Sequence, residues 1–206
     1  MNHYFTDNTN LKSELKNIVY NYGGYHFNFI SDNGVFCKDR IDFGSDLLVK
    51  NYLKGASSNI KILDVGCGYG FIGLTISKIT DSHVDLIDIN KRALHLCEMN
   101  IKNLKADAKA FESNMYENVT DKYDVIITNP PIRAGKKVVY GILREALNHM
   151  TKNGSLWFVI RKDQGALSAI KDISDLYECS VVDKSKGFLI ICAKSRWQGN
   201  NKLLKL

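Results

Sequence analysis

The 206-residue sequence contains only two prolines, and they stand side by side as Pro130-Pro131. It has no apolar run near the roughly 20 residues that a membrane-spanning helix needs. The polar start MNHYFTDN does not read as a signal peptide, so a cytoplasmic protein is expected. The five cysteines (Cys37, Cys67, Cys97, Cys179, Cys192) include no C-x-x-C pair. That spacing argues against a zinc ribbon, a redox motif or a disulfide framework, and reduced thiols are expected. The five histidines show no ligand spacing, so no metal is expected. Repeats, low-complexity stretches and Pro/Gly-rich linkers are all missing. A chain of this length then forms one domain with a sizeable core.

Hydrophobic residues make up 45% of the chain and charged residues 24%, an ordinary balance for a packed domain. The formal charge of +6 favours a polyanionic partner. Solvated lysines alone would give the same total, so charge becomes informative only beside a site.

From Ile60 onward, β-rich apolar runs alternate with helical patterns. Strands are predicted over Lys61–Val65, His83–Asp88, Lys109–Glu112, Asp124–Thr128, Ser155–Ile160, Tyr177–Asp183 and Phe188–Lys194. Helices are predicted over Gly70–Ile79, Arg92–Asn103, Val138–Met150 and Gly165–Leu176. Val125-Ile126-Ile127 is apolar without alternation, as in a parallel strand covered on both faces. The pattern predicts a doubly wound α/β sheet of seven strands, mostly parallel and ending in an antiparallel hairpin. Residues 1–54 read as an N-terminal extension, 55–196 as the core and 197–206 as a disordered tail. Within the extension, Tyr25–Ile30 and Gly34–Cys37 read as a hairpin around Ser31-Asp32-Asn33, followed by a helix near Ser45–Leu53.

Asp64-Val65-Gly66-Cys67-Gly68-Tyr69-Gly70 runs off the first core strand into a helix. Glycines allow a sharp turn and a close backbone approach to a ligand. Asp88 ends the next strand, where a carboxylate can accept two ribose hydroxyls. A dinucleotide fingerprint counted from Gly66 would need glycine at Phe71. Asp64 would repel a pyrophosphate but suits an ammonium group. S-adenosylmethionine is therefore favoured over NAD.

The fourth core strand ends in Asn129-Pro130-Pro131-Ile132. Two prolines break the strand, at the carboxyl edge where open α/β sheets bind ligands. A rigid turn is the bland reading. The chemical reading starts from an exocyclic base amine, whose lone pair is delocalised into the ring. The Asn129 side-chain oxygen and the Pro130 carbonyl can each accept one N–H and hold the nitrogen toward tetrahedral geometry, and Pro131 helps fix that carbonyl.

The sequence resembles the small-subunit rRNA guanine-N2 methyltransferases, in particular their short single-domain members. The resemblance rests on Gly34-Val35-Phe36, Asp42-Phe43-Gly44-Ser45, Asp64–Gly70, Asp88-Ile89-Asn90, Asn129–Lys136 and Lys162-Asp163-Gln164-Gly165. It implies a Rossmann-like class I methyltransferase fold with S-adenosylmethionine as cofactor. Asp64, Gly66, Gly68, Asp88, Asn114 and Met115 would surround it, with Cys67, Gly70, Ile89 and Asn129 in the same contour. Asn114 would face the adenine amine, and Asn129 would contact the target base. Many amino-methyltransferases carry an aromatic residue where Ile132 stands, so Ile132 is expected to meet the base with weaker stacking, or stacking comes from another residue such as Phe36.

Arg133, Lys136, Arg161 and Lys162 follow adjacent strands and are expected to meet an RNA backbone. The implied reaction methylates the exocyclic N2 of a guanine in 16S rRNA, free or in a small-subunit particle. Adenine N6 and a protein glutamine amide also present a planar N–H₂ and stay open. A non-catalytic RNA-binding assembly protein is the rival from another class.

Overall fold

The computed structural model describes residues 12–196; the expected tail at 197–206, with Lys202 and Lys205, lies outside them. Its strands are β1 (Lys16–Tyr22), β2 (Tyr25–Ser31), β3 (Lys61–Val65), β4 (His83–Asp88), β5 (Ala108–Glu112), β6 (Tyr123–Thr128), β7 (Met150–Arg161), β8 (Tyr177–Ser185) and β9 (Phe188–Ser195). Five α-helices intervene: α1 (Phe43–Leu53), α2 (Phe71–Thr80), α3 (Lys91–Leu104), α4 (Lys136–Glu145) and α5 (Ala166–Asp172).

The seven-stranded sheet runs β5-β4-β3-β6-β7-β9-β8. Strands β5 through β7 pair in parallel, and β9 runs antiparallel between β7 and β8. This is the Rossmann-like methyltransferase arrangement expected. Consecutive residues serve opposite faces. Ile62, Ile127 and Ile190 join the core under the N-terminal hairpin and α1 to α3, whereas Leu63, Ile126 and Ile191 join the core under α4 and α5. Burial on both faces explains the unbroken apolar runs.

The sheet strands match expectation closely, except that β7 begins at Met150 rather than Ser155. Of the helices, α4 stops at Glu145 and continues as a 3₁₀ turn over Ala146–His149. Helix α5 spans only Ala166–Asp172.

The N-terminal hairpin needs correction. Its strands are β1 and β2, joined at Gly23-Gly24, and Gly34–Cys37 is a loop. Both glycines have positive φ (56° and 84°), as a two-residue hairpin turn of type I′ requires. Beyond β2, the Asp32 carboxylate accepts the Asn33 and Glu14 N–H groups and the Ser13 hydroxyl, which ends strand pairing there. Loop residues Gly34 (φ 84°) and Cys37 (φ 50°) are left-handed, which a strand does not tolerate.

The hairpin is fastened to the core by Ile18, Tyr20, Phe27 and Phe29; the Tyr20 and Phe29 rings meet Phe71 at centroid distances of 4.9 and 5.6 Å. Asn100, fully buried on α3, completes the joint. Its Oδ1 accepts the Ile30 N–H at 2.7 Å, and its Nδ2 donates to the Ile30 and Tyr69 carbonyls, each at 2.9 Å.

Candidate active site

The loop after β3 is held in place by the neighbouring strand. The Gly66 and Cys67 N–H groups both donate to the Ile87 carbonyl at 2.8 and 3.0 Å. The Gly68 N–H donates to Asp88 Oδ2 at 2.9 Å, and Asp88 Oδ1 accepts the Asn90 N–H at the same distance. Asn90 in turn caps α3 by accepting from Arg92 and Ala93. Gly66 (φ 71°) and Gly68 (φ 58°) are both left-handed, and a Cβ on either would meet open space. That bare backbone is a cradle of the kind a bound cofactor fills, so the residues present fit S-adenosylmethionine.

The other loop residues divide differently. Gly70 is required for packing: a Cβ there would lie 2.7 Å from Leu74 Cδ1 and 2.9 Å from the Cys97 sulfur. Its neighbours are therefore core atoms rather than open ligand space. Cys67 is buried, with its thiol pushed up by burial and by the neighbouring Cys97, and it lines the cleft below.

Asp64 is fully buried under the loop and caps α2, whose N-cap Gly70 has no side chain to offer. Its Oδ2 accepts the Gly73 N–H at 2.9 Å, while Oδ1 has no partner. Burial raises the carboxyl to about 7; the Gly73 hydrogen bond opposes this and Asp88 adds to it. An unpartnered buried acceptor suits an ammonium group or a water bound to one, although Asp64 itself lines neither cavity beside the loop. Asp88 is also raised by burial, against its backbone hydrogen bonds.

Asp88 lines a narrow recess with Ile89, Ser113, Asn114, Met115, Val138 and Ile142. Asn114 is exposed and donates from Nδ2 to Glu117 at 2.9 Å. Gly66 and Pro131 line both this recess and the larger cleft, so the two spaces adjoin.

That cleft, about 680 Å³, opens where β6 ends. Asn129, Pro130, Pro131, Ile132 and Arg133 form one wall, and the Gly66–Tyr69 loop with Phe71 and Ile72 another. The Ala134 and Gly135 N–H groups go to the Pro131 and Ile132 carbonyls, outside which the Pro130 carbonyl stands. Asn129 Nδ2 donates to Asp42 Oδ2 at 3.0 Å and to Ser45 Oγ at 2.9 Å. Both acceptors belong to the start of α1, where Asp42 is the N-cap.

Phe36 also lines the cleft, with its side chain about half exposed. Arg161 lines it from the end of β7, paired with Asp163 at 2.9 Å and lying over the Phe188 ring at 5.4 Å. Phe188 leans on Phe43, and Lys186 sits over Phe43 at 4.6 Å. Lys136 and Lys162 are exposed and lie outside the cleft lining. Lys38, a further basic residue of the loop, is engaged by Asn33 at 2.7 Å. Sequence reasoning missed Asp42, Ser45, Gln164 and Phe188 as cleft residues. For Asp42 and Ser45 the spacing D-x-x-S ahead of an apolar run was the available signal, a helix cap.

Among the described residues, no group of three or more His, Cys, Asp or Glu could hold a metal ion. No helix among them is long and apolar enough to cross a membrane.

Comparison with known proteins adds four findings. The family described as methyltransferase small domain has a model matching residues 26–192. The uncharacterized protein YbxB of Bacillus subtilis is 42% identical over 197 residues, which cover 93% of this chain and 98% of that protein. Ribosomal RNA small subunit methyltransferase C of Psychromonas ingrahamii is 31% identical over 134 residues; these are 63% of this chain but only 38% of that relative's length. Among solved structures, the T. thermophilus 16S rRNA N2 G1207 methyltransferase (RsmC) in complex with AdoMet and guanosine superposes with a TM-score of 0.80 at 19% identity, covering 90% of this chain and 52% of that one. At that identity the likeness is one of fold.

Proposed function

We infer the reaction from one premise: the chain belongs to the methyltransferase small domain family. S-adenosylmethionine is its methyl donor, and the acceptor we propose is the exocyclic N2 of a guanine in 16S rRNA. The observation that carries the reading is Asn129-Pro130-Pro131 at the carboxyl end of β6, sharing one cleft with the glycine loop. The names of the rRNA methyltransferase relatives support RNA as the acceptor.

When bound, the cofactor supplies an electrophilic methyl on a sulfonium. The chain's own residues do the rest. Asp88 would accept the ribose hydroxyls, with Ile89, Asn114 and Met115 beside the adenine. Gly66, Cys67 and Gly68 would follow the methionine portion, and Asp64 would balance its ammonium. Asn129 Oδ1 and the Pro130 carbonyl would each accept one N–H of the target amine. Those two bonds would direct the nitrogen lone pair toward the methyl that the cofactor supplies. The nitrogen gains a positive charge, which those two oxygens stabilise, and then loses a proton to solvent through the open cleft. This is positioning with transition-state hydrogen bonding. Phe36 would stack on the base where Ile132 gives little surface. Arg133, Lys136, Arg161 and Lys162 would meet flanking phosphates.

The test is nucleoside mass spectrometry of 16S rRNA incubated with the protein and S-adenosylmethionine. N2-methylguanosine is the expected product, and N6-methyladenosine or no RNA product would overturn the acceptor. Asn129→Ala should lower methyl transfer by roughly two to three orders of magnitude. Its cofactor affinity should change little, because the glycine loop and Asp88 are untouched.

A further inference from the structure

Asn129 is held by groups that leave it a single orientation. A primary amide carries two N–H donors and one acceptor oxygen. Its nitrogen faces Asp42 Oδ2 at 3.0 Å and Ser45 Oγ at 2.9 Å. A carboxylate oxygen can only accept, so the nitrogen must be the atom beside Asp42. The Ser45 hydroxyl lies 3.1 Å from the same Asp42 oxygen and donates to it, so toward Asn129 it accepts. The Ser45 N–H donates to that oxygen as well, at 2.8 Å. Both amide hydrogens are thus taken, and the Asn129 oxygen is what remains to face the cleft.

We propose that Asp42 and Ser45 are positioning residues for methyl transfer, locking the Asn129 amide with its oxygen toward the acceptor amine and polarising it. The negative charge behind the amide nitrogen shifts electron density onto Oδ1. That oxygen then accepts more strongly as positive charge develops on the amine; transition-state hydrogen bonds of this kind are worth roughly two to three orders of magnitude in rate. The N-cap of α1 and the catalytic amide are served by one carboxylate oxygen. This inference rests on the amine-acceptor reading but not on which base carries the amine.

Asp42→Asn separates the negative charge from the hydrogen bonds. Asparagine caps a helix about as well as aspartate, so folding and cofactor binding are retained. Its side-chain oxygen, in the place of Oδ2, caps the helix and still accepts from the Asn129 amide, so the change removes the charge alone. The expected result is a fall in kcat of about 10- to 100-fold with an unchanged KM for the cofactor. Ser45→Ala should give a smaller fall. In the Asn129→Ala background, Asp42→Asn should have almost no further effect, because its target is gone.

A second readout needs no turnover. In ¹⁵N NMR of the wild-type chain, the Asn129 side-chain NH₂ should exchange slowly with solvent and give two well-separated proton signals. Ser45→Ala, which removes one acceptor and leaves the cap in place, should speed exchange of at least one of those protons by tenfold or more. A wild-type NH₂ that exchanges as fast as an exposed asparagine overturns the proposal. So does an Asp42→Asn effect that persists undiminished without Asn129, which would make Asp42 a helix cap alone. Failure to methylate rRNA, with the NH₂ protected, would instead count against the RNA acceptor.

Discussion

At the scale of single residues, the sequence reveals what kind of group is present but not the partners it has taken. Asp64 and Asp88 were legible because each ends a strand at the ligand edge. That Asp64 also caps α2 through Gly73 was not, because the contact joins residues on either side of the turn. Its burial has a consequence for stability. The folded-state carboxyl is raised to about 7, above its unfolded value near 4. The native state therefore holds a proton that the unfolded chain releases between those values. Stability should be greatest at the acid end of that window and fall as pH rises from about 4 to 7, with Asp88 contributing in the same direction. Denaturant unfolding of the cofactor-free chain and of Asp64→Asn checks this. Asparagine should recover about 2 kcal/mol or more relative to wild type at pH 8 than at pH 5. A constant difference between the two proteins would mean that Asp64 is ionised throughout.

Among elements, the sheet was legible because each strand is covered on both faces and reads as an apolar run. The hairpin was misread for a related reason. Gly34-Val35-Phe36 is apolar, as a strand is, but it is apolar because it lines a cleft. In the true partner strand, β1, Ile18 and Tyr20 are buried while Val19 between them is exposed, and Gly23-Gly24 was its turn signal. Contacts between α1 and β9 were equally hidden. At Gly44 in the first turn of α1, a Cβ would lie 2.8 Å from Phe188 Cε1. Gly44→Ala should push that ring out of its place between Arg161 and Phe43. Overpacking of this kind costs about 1–3 kcal/mol, and the cleft wall should move with the ring. Thermal unfolding should show the loss, and Phe188→Ala in the same chain should relieve most of it. An alanine variant as stable as wild type would show that the ring gives way freely.

For the whole molecule, a charge of +6 says little until its lysines are located. Arg133 and Arg161 line the cleft, and Lys136 and Lys162 follow close behind them in sequence. Lys78 lies in the last turn of α2, a helix that begins at the glycine loop, and Lys152 lies near the start of β7, which ends at Arg161. Both therefore belong to the opposite edge of the sheet. If the cleft edge meets phosphates, RNA affinity should fall steeply with salt, and removing the four cleft-edge charges should flatten that slope by about three to four. Removing Lys78 and Lys152 should leave it nearly unchanged. Equal effects, read by fluorescence titration at several salt concentrations, would mean that attraction is spread over the surface. Asn100 bears on how far the chain can be shortened. One amide holds the end of β2 to the carbonyl of Tyr69, in the loop expected to cradle the methyl donor. A boundary near residue 55 divides the sequence sensibly, but trimming there would remove Ile30 and leave this buried amide with lost partners. An engineer who wants a minimal transferase should keep the chain from β1 onward, because the hairpin is part of the loop's foundation.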